Sequence, residues 1–415
     1  QPVVSIEPEA RLNVDQPAAT EMVRKLSAIF RDYPKIQKSL VSLDENADTR
    51  WFLNSEGFCN RTPNKRCVLV AMAATQGEDG SSISDMELFP AATDQDLPSY
   101  DELAAKVKAL ADRVTQLAAA KAADQYRGPM ILEGDAAAEF FSQALEPFLG
   151  HAAESLNKSS VFASMSKNPL ADKLGVRVLP VFIDVVDDPL SDKFGDTKIL
   201  SSYKIDDDGV KAQKVNLVEK GILKTFCMSR TPSREIKLSN GHARGSSGVA
   251  NNVYVISDAK FTPAQLKEKL IAYGKEDGLK EVYIARRLWH FGLAALEPQS
   301  FFANLVSGFT SGSGVRVFPP VLLYKVSVDD GHEELVRGAQ FTNLTMRVLR
   351  DIDCTGDSAS AFSQVGIGDV ITSRGTPGIS TVVTPSILVR EIELAKPSKE
   401  SERLPILPSP NFDKP

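Results

Sequence analysis

Histidine is scarce in this chain: 415 residues carry four, His151, His242, His290 and His332. No two stand at a helical or hairpin spacing that would aim both rings at one metal ion, whereas a zinc site needs three or four ligands converging on a point. His151 with Glu154, at i and i+3, is the nearest constellation, and its third ligand would have to come from a distant loop. Cysteine is as sparse, and four residues are too few for a disulfide scaffold. Cys59 and Cys67 flank Asn60-Arg61-Thr62-Pro63-Asn64-Lys65-Arg66, a turn-rich stretch between two apparent strands. Antiparallel pairing there would join the sulfurs and indicate an oxidising compartment; two free thiols inside a cell are the equal alternative. Cys227 and Cys354 sit in apolar or turn contexts and read as small buried residues.

Other absences narrow the field. The longest apolar stretch, Val176 to Val186, is interrupted by Arg177 and Asp184 and falls short of the roughly 18 residues of a spanning helix. The basic clusters Arg61 to Arg66 and Lys396 to Arg403 are interleaved with polar or acidic residues, and the net charge is −6, so the basic stripe of a nucleic-acid binder is missing. No Gly-x-Ser-x-Gly elbow occurs; Gly308-Phe309-Thr310-Ser311-Gly312 has threonine at its centre and reads as a flexible loop. Walker and dinucleotide fingerprints are lacking too. The aspartates Asp206 to Asp208 do not open a calcium loop, because the sixth and twelfth positions hold Lys211 and Leu217. The chain opens at Gln1 without a charged region followed by an apolar core, and reads as a processed or trimmed product whose export signal has gone.

What is present points to two domains and a tail, since one core stops growing beyond roughly 250–300 residues. Val23, Leu26, Ile29 and Phe30 predict an amphipathic helix over 20–32, stopped by Pro34. Strands are expected from Lys38 to Val70, with a turn at Asn54-Ser55-Glu56-Gly57 and a buried strand at Val68-Leu69-Val70-Ala71-Met72, and a polar loop from Gln76 to Pro98. Ser99 and Glu102 form a capping box ahead of Leu103, Val107, Leu110, Val114 and Leu117. That stripe either packs on the sheet of its own domain or forms a short seam with a partner chain. Tyr126-Arg127-Gly128-Pro129 breaks the pattern, which sets a domain of residues 1–125 against a strand-rich domain of 126–395.

In the second domain one clear helix starts at Thr262-Pro263 and runs to Gly274. Strands are expected over 176–186, 198–205, 214–220, 222–228, 315–328, 335–341 and 380–394. Asp207-Asp208-Gly209 and Asp329-Asp330-Gly331 are hairpin signals. Residues 396–415, charged and proline-rich, read as an extended tail.

Several strings share a source. Gly134-Asp135-Ala136-Ala137-Ala138-Glu139-Phe140-Phe141-Ser142-Gln143-Ala144-Leu145-Glu146-Pro147, Asp187-Asp188-Pro189, Ile205-Asp206-Asp207-Asp208-Gly209-Val210 and Val218-Glu219-Lys220-Gly221-Ile222-Leu223-Lys224 resemble the TldD/PmbA family of peptidases. Val336-Arg337-Gly338 and Thr384-Pro385-Ser386-Ile387-Leu388-Val389-Arg390-Glu391 extend the likeness, which is more specific from Gly128 to Glu393 than in residues 1–125. The resemblance implies an α+β fold: a partial N-terminal α/β domain, cut short at its start, then a β-rich, barrel- or sandwich-like C-terminal domain. It also implies dimerisation around an internal cavity. Catalytic TldD-type members bind zinc through a His-Glu-x-x-x-His helix, and TldE/PmbA-type partners lack those residues.

Set against that motif, Ser142 stands at the first histidine, Gln143 at the general base and Pro147 at the second histidine. Serine is a poor zinc ligand, glutamine accepts no proton at neutral pH and proline has no donor atom. No cofactor is therefore expected in this chain, with zinc assigned to a partner subunit. The expected role is a TldE-like pseudoenzyme of proteolysis, forming a homodimer or a heterodimer with a zinc-bearing TldD-like subunit and admitting unfolded peptide. The alternatives are a peptidase with an unconventional site built from residues such as His151, Glu146 or His242, and a peptide-binding module without catalysis. Ser239-Asn240-Gly241-His242-Ala243-Arg244-Gly245 resembles the family's Gly-Asn-basic loop, which makes Asn240, His242 and Arg244 the candidates for lining a substrate passage. A periplasmic or exported location is expected, with the cytoplasm as alternative.

Overall fold

The structure, a computed structural model, describes residues 4–151, 168–245, 247–289, 315, 317–365, 379–396 and 405. The expectations for Glu154, His290, the 308–312 loop and nearly all of the tail lie outside the described residues. The chain divides into two compact units: the described parts of the first are residues 4–122, 289 and 405, and those of the second are the strand-rich remainder, 123–151, 168–245, 247–288, 315, 317–365 and 379–396.

In the first unit, strands Lys38–Leu53, Cys59–Gln76 and Ser82–Ala91 pair antiparallel in that order, and Val4–Ile6 adds in parallel to Cys59–Gln76. Helix Tyr100–Ala119 begins at the expected capping box, with Ser99 N donating to Glu102 Oε2 at 2.9 Å and Glu102 N to Ser99 Oγ at 3.4 Å. Leu103, Val107, Leu110, Val114 and Leu117 are all buried within the chain, so the stripe packs on its own sheet. The helix predicted over 20–32 runs instead from Gln16 to Ala28 and tightens into a 3₁₀ turn at Ile29–Asp32.

Two expectations fail here. Residues 60–66 are not a turn: Cys59–Gln76 is one strand, with Cys59 opposite Leu53 and Cys67 opposite Glu45. At about 3.3 Å per residue their Cα atoms stand about 26 Å apart, far beyond the 4.4–6.8 Å of a disulfide. All four cysteines are free, so a disulfide gives no support for an oxidising compartment. Pro63 is tolerated because the strand has one neighbour there, between its pairing with Val4–Ile6 and its pairing with Ser82–Ala91. The second miss is Ser82–Ala91, expected as loop. Its buried Asp85 and its Glu87 are held by Arg113 from the helix, at 2.9 and 2.5 Å, which is how a charged segment sits in a sheet.

In the second unit, the long strand Ile379–Ala395 pairs antiparallel with Tyr126–Leu132 and Ile352–Val365 and parallel with Asn252–Ser257. From Tyr126–Leu132 the sheet continues through Glu281–Leu288, Pro320–Ser327 and Glu333–Arg337; from Asn252–Ser257 it continues through Ile183–Asp187 and Val215–Glu219 to Ile222–Leu223. Alternation sorts the core. Met130, Leu132, Tyr283 and Ala285 join the cluster of helix Asp135–Ala144, while Ile131, Val282 and Ile284 join that of helix Pro263–Glu276, so these helices lie on opposite faces. The class is thus α+β with a β-rich second unit.

Both Asp-Asp-Gly turns form, with Gly209 and Gly331 at φ 80° and 73°. Three of the expected strands shrink. Only Ile183–Asp187 of 176–186, Thr197–Lys198 beside 198–205, and Ile222–Leu223 of 222–228 pair regularly. Val178, Leu179 and Ile199 are buried on loops instead, and the backbone N–H groups of Val178 and Leu179 bond to the Gly221 carbonyl. The run 335–341 divides at Gly338, φ 77°, into two strands.

Candidate functional site

The Ala136-Ala137-Ala138 run, a strong helix former, follows Gly134 at φ 55° and builds the helix Asp135–Ala144, where the resemblance places the metal-binding motif. It ends before Pro147, which lacks the N–H of a further turn, and Glu146–Phe148 forms a 3₁₀ turn. Ser142 is buried and its hydroxyl donates to the Glu139 carbonyl at 2.8 Å. Glu139, also buried, accepts from Leu288 N at 2.5 Å, and the Gln143 side-chain oxygen accepts from Phe318 N at 2.6 Å. Pro147 is exposed. The side chains at the motif positions thus serve local backbone bonds or face outward, and do not fit a catalytic zinc.

The segment after this helix lies against a buried polar cluster. Cys227 N donates to the Leu149 carbonyl at 2.8 Å and His151 N to the Cys227 carbonyl at 3.0 Å. Gly248 closes the other side: a Cβ there would stand 1.9 Å from the Cys227 carbonyl oxygen, so only glycine fits. His151, half-buried, is tied in through its backbone, with Gly248 N donating to its carbonyl at 2.8 Å.

The 239–245 loop is clamped to the same segment, residues 226–228. The Asn240 amide mimics a neighbouring strand, donating to the Phe226 carbonyl at 2.8 Å and accepting from Met228 N at 2.7 Å. Asp206, at the first Asp-Asp-Gly turn, accepts from Ala243 N at 2.9 Å and from Val210 N at 2.7 Å. Burial nonetheless pushes its carboxyl above the ordinary value. Arg244 stacks on the Tyr203 ring, 3.8 Å from its centroid, and stands 3.9 Å from Asp207.

His242 ends this chain of contacts. Its Nδ1 lies 3.0 Å from both the backbone and the side-chain oxygen of Asn240, two acceptors, so Nδ1 carries the hydrogen. Nε2 has no hydrogen-bond partner among the described residues and faces Asp187 Oδ1 at 3.4 Å. Asp187, at the end of its strand, accepts from Asn251 N at 2.7 Å and Asn252 N at 3.4 Å. The Cys227 sulfur completes the group: one ligand atom from each of Asp187, Cys227 and His242 lies within 4.8 Å of the others. All three side chains are 0% exposed, so His242 points inward and offers nothing to an open passage. Burial, with help from the Asp187 and Glu146 carboxylates, raises the Cys227 thiol well above its ordinary value.

In sequence only His242 stands among the candidate site residues, while Asp187 belongs to a family-like string and Cys227 reads as a small buried residue. Asp187, Cys227 and His242 lie 40 and 15 positions apart, outside any local ligand motif, and only the pairing of Cys227 with 149–151 and of the 239–245 loop with 226–228 brings them together.

Residues 125–274 match the model of the PmbA/TldA metallopeptidase C-terminal domain. A metalloprotease of Methanocaldococcus jannaschii is 29% identical over 218 residues, 51% of this chain and 44% of that protein. A metalloprotease of Methanothermobacter thermautotrophicus is 26% identical with the same coverage, so the chain spans less than half the length of these curated relatives. Among solved structures, a proposed modulator of a DNA gyrase from Thermotoga maritima aligns with TM-score 0.62 at 16% identity, over 94% of this chain and 79% of that one. TldE from Thermococcus kodakarensis aligns with TM-score 0.54 at 16% identity, over 95% and 79%. These two show the shared fold.

Proposed function

We propose that the chain is a TldE-like subunit without a catalytic zinc of its own. It dimerises, with itself or with a zinc-bearing TldD-like subunit, and shapes a chamber in which unfolded peptide is cleaved. The observation behind this reading is the 135–144 helix: Ser142 is turned into the core, Gln143 is held by Phe318 N–H, and Pro147 ends the helix. Peptide hydrolysis by zinc requires a water held by the metal and a base beside it, and those three positions supply neither.

The test is hydrolysis of a fluorogenic unfolded peptide by the chain alone, by a zinc-bearing relative alone and by their mixture, with and without chelator. The expected outcome is no chelator-sensitive turnover by the lone chain, co-elution of the two proteins, and turnover raised at least tenfold in the mixture, about 1.4 kcal/mol of barrier. Chelator-sensitive turnover by the lone chain overturns the reading.

A further inference from the structure

The His242 ring and the Asp187 carboxylate present two acceptor atoms to each other inside the protein. With its hydrogen held on Nδ1 by Asn240, a neutral imidazole directs the Nε2 lone pair at Asp187 Oδ1, 3.4 Å away. Such a pair is repulsive unless a proton on Nε2 or a metal ion stands between, and 3.4 Å is long for a charge-assisted N–H···O bond, which closes to about 2.7–2.9 Å. Two donors bonded at about 2.05 Å to a tetrahedral zinc are about 3.3 Å apart, close to the separation seen. A thiolate at 2.3 Å would stand about 3.6 Å from each, and the Cys227 sulfur is already within 4.8 Å of both.

We propose that Asp187, Cys227 and His242 bind one zinc ion in a buried site, with a water as the fourth ligand of the tetrahedron. The charges close: the Cys227 thiol gives up its proton to solvent on binding, and thiolate plus carboxylate balance the 2+ ion, leaving a neutral buried group where an isolated charge would be costly. Asn240 acts as the outer partner of the histidine, fixing its tautomer and orientation. Full burial gives a peptide no approach to this ion. Its role is to tie the 239–245 loop, the Cys227 segment and the end of strand Ile183–Asp187 together. The site is independent of the proposed subunit role, because one test reads metal and the other reads hydrolysis.

The full chain is purified without affinity metal and stripped with chelator; one portion is titrated with Co²⁺ as a spectroscopic stand-in for zinc, and another is reloaded with Zn²⁺, freed of excess metal and assayed by elemental analysis. The expected result is roughly one equivalent of either metal, as a single three-ligand site requires. Cobalt should give an intense tetrahedral visible spectrum and an ultraviolet thiolate-to-cobalt band. The thiolate band disappears in Cys227→Ala, and metal content falls at least tenfold in His242→Gln, while His151→Gln leaves both unchanged. No thiolate band and less than a tenth of an equivalent in the unsubstituted chain overturns the proposal, which needs no variant to fold. So does retention of a full equivalent by folded Cys227→Ala and His242→Gln, which leaves the cluster as a hydrogen-bonded and ion-paired network only.

Discussion

Cysteine shows how far a side chain's surroundings override its type. Burial drives the Cys67 and Cys354 thiols up to about 12, and Cys227 higher than its ordinary value too, so almost no thiolate exists at neutral pH. Cys59 is the only one of the four with substantial exposure. Alkylation of the native, metal-free chain at neutral pH, followed by mass analysis, is therefore expected to add one label rapidly, at Cys59, and four after unfolding in denaturant. Rapid native labelling of Cys67 would show that the strand Cys59–Gln76 does not hold it buried. The same reasoning separates His151 from His242. Composition marks both as possible ligands, but His242 alone has its second nitrogen oriented by an oxygen partner and its first aimed at a carboxylate.

Among the elements, helix Tyr100–Ala119 carries the sharpest consequence. Its apolar stripe is buried on the sheet of its own unit, and Leu110 is completely enclosed. Leu110→Ala is expected to destabilise this unit by about 2–5 kcal/mol, from lost transfer energy and the cavity left behind. Urea unfolding at two protein concentrations checks it: a shift independent of concentration fits internal packing, whereas a concentration-dependent one would return the stripe to a partner seam. This helix was legible in sequence because its signals are local, a capping box and a spacing of three and four. So were the two Asp-Asp-Gly turns, where glycine reaches positive φ. Ser82–Ala91 was illegible because the partner of its Asp85 is Arg113, 28 positions away. The 59–67 stretch misled because Asn60, Pro63 and Asn64 suit a turn, yet each has a pairing neighbour supplied by Lys38–Leu53. At helix Asp135–Ala144 the absence of histidine is read directly from the residues, whereas the Asp187, Cys227 and His242 cluster depends on contacts no local window contains.

For the chain taken entire, stability against acid follows from where its carboxylates sit. Glu333, on strand Glu333–Arg337, lies 2.7 Å from Lys267 of helix Pro263–Glu276 and 3.0 Å from Arg286 of strand Glu281–Leu288; Arg286 also holds Glu133 at 2.6 Å. Burial acts to raise the Glu333 carboxyl, but Lys267 and Arg286 together outweigh it and hold the group below its ordinary 4.5. A depressed folded value means the unfolded chain binds protons first as pH falls. This contribution is therefore complete above 4.5 and is lost as pH drops through the folded value. Asp206 has the opposite sign. Burial raises it above 3.8, so its contribution is complete below 3.8, is lost as pH climbs through the raised value, and is absent at neutrality. Glu333→Gln should accordingly lower Tm at neutral pH and leave a smaller further drop on acidification below 4.5 than the unsubstituted chain shows, because the replacement cannot titrate. Melting curves of both proteins across that range decide it: parallel acid limbs would mean that this cluster, which joins two strands and a helix of the β-rich unit, does not govern acid unfolding.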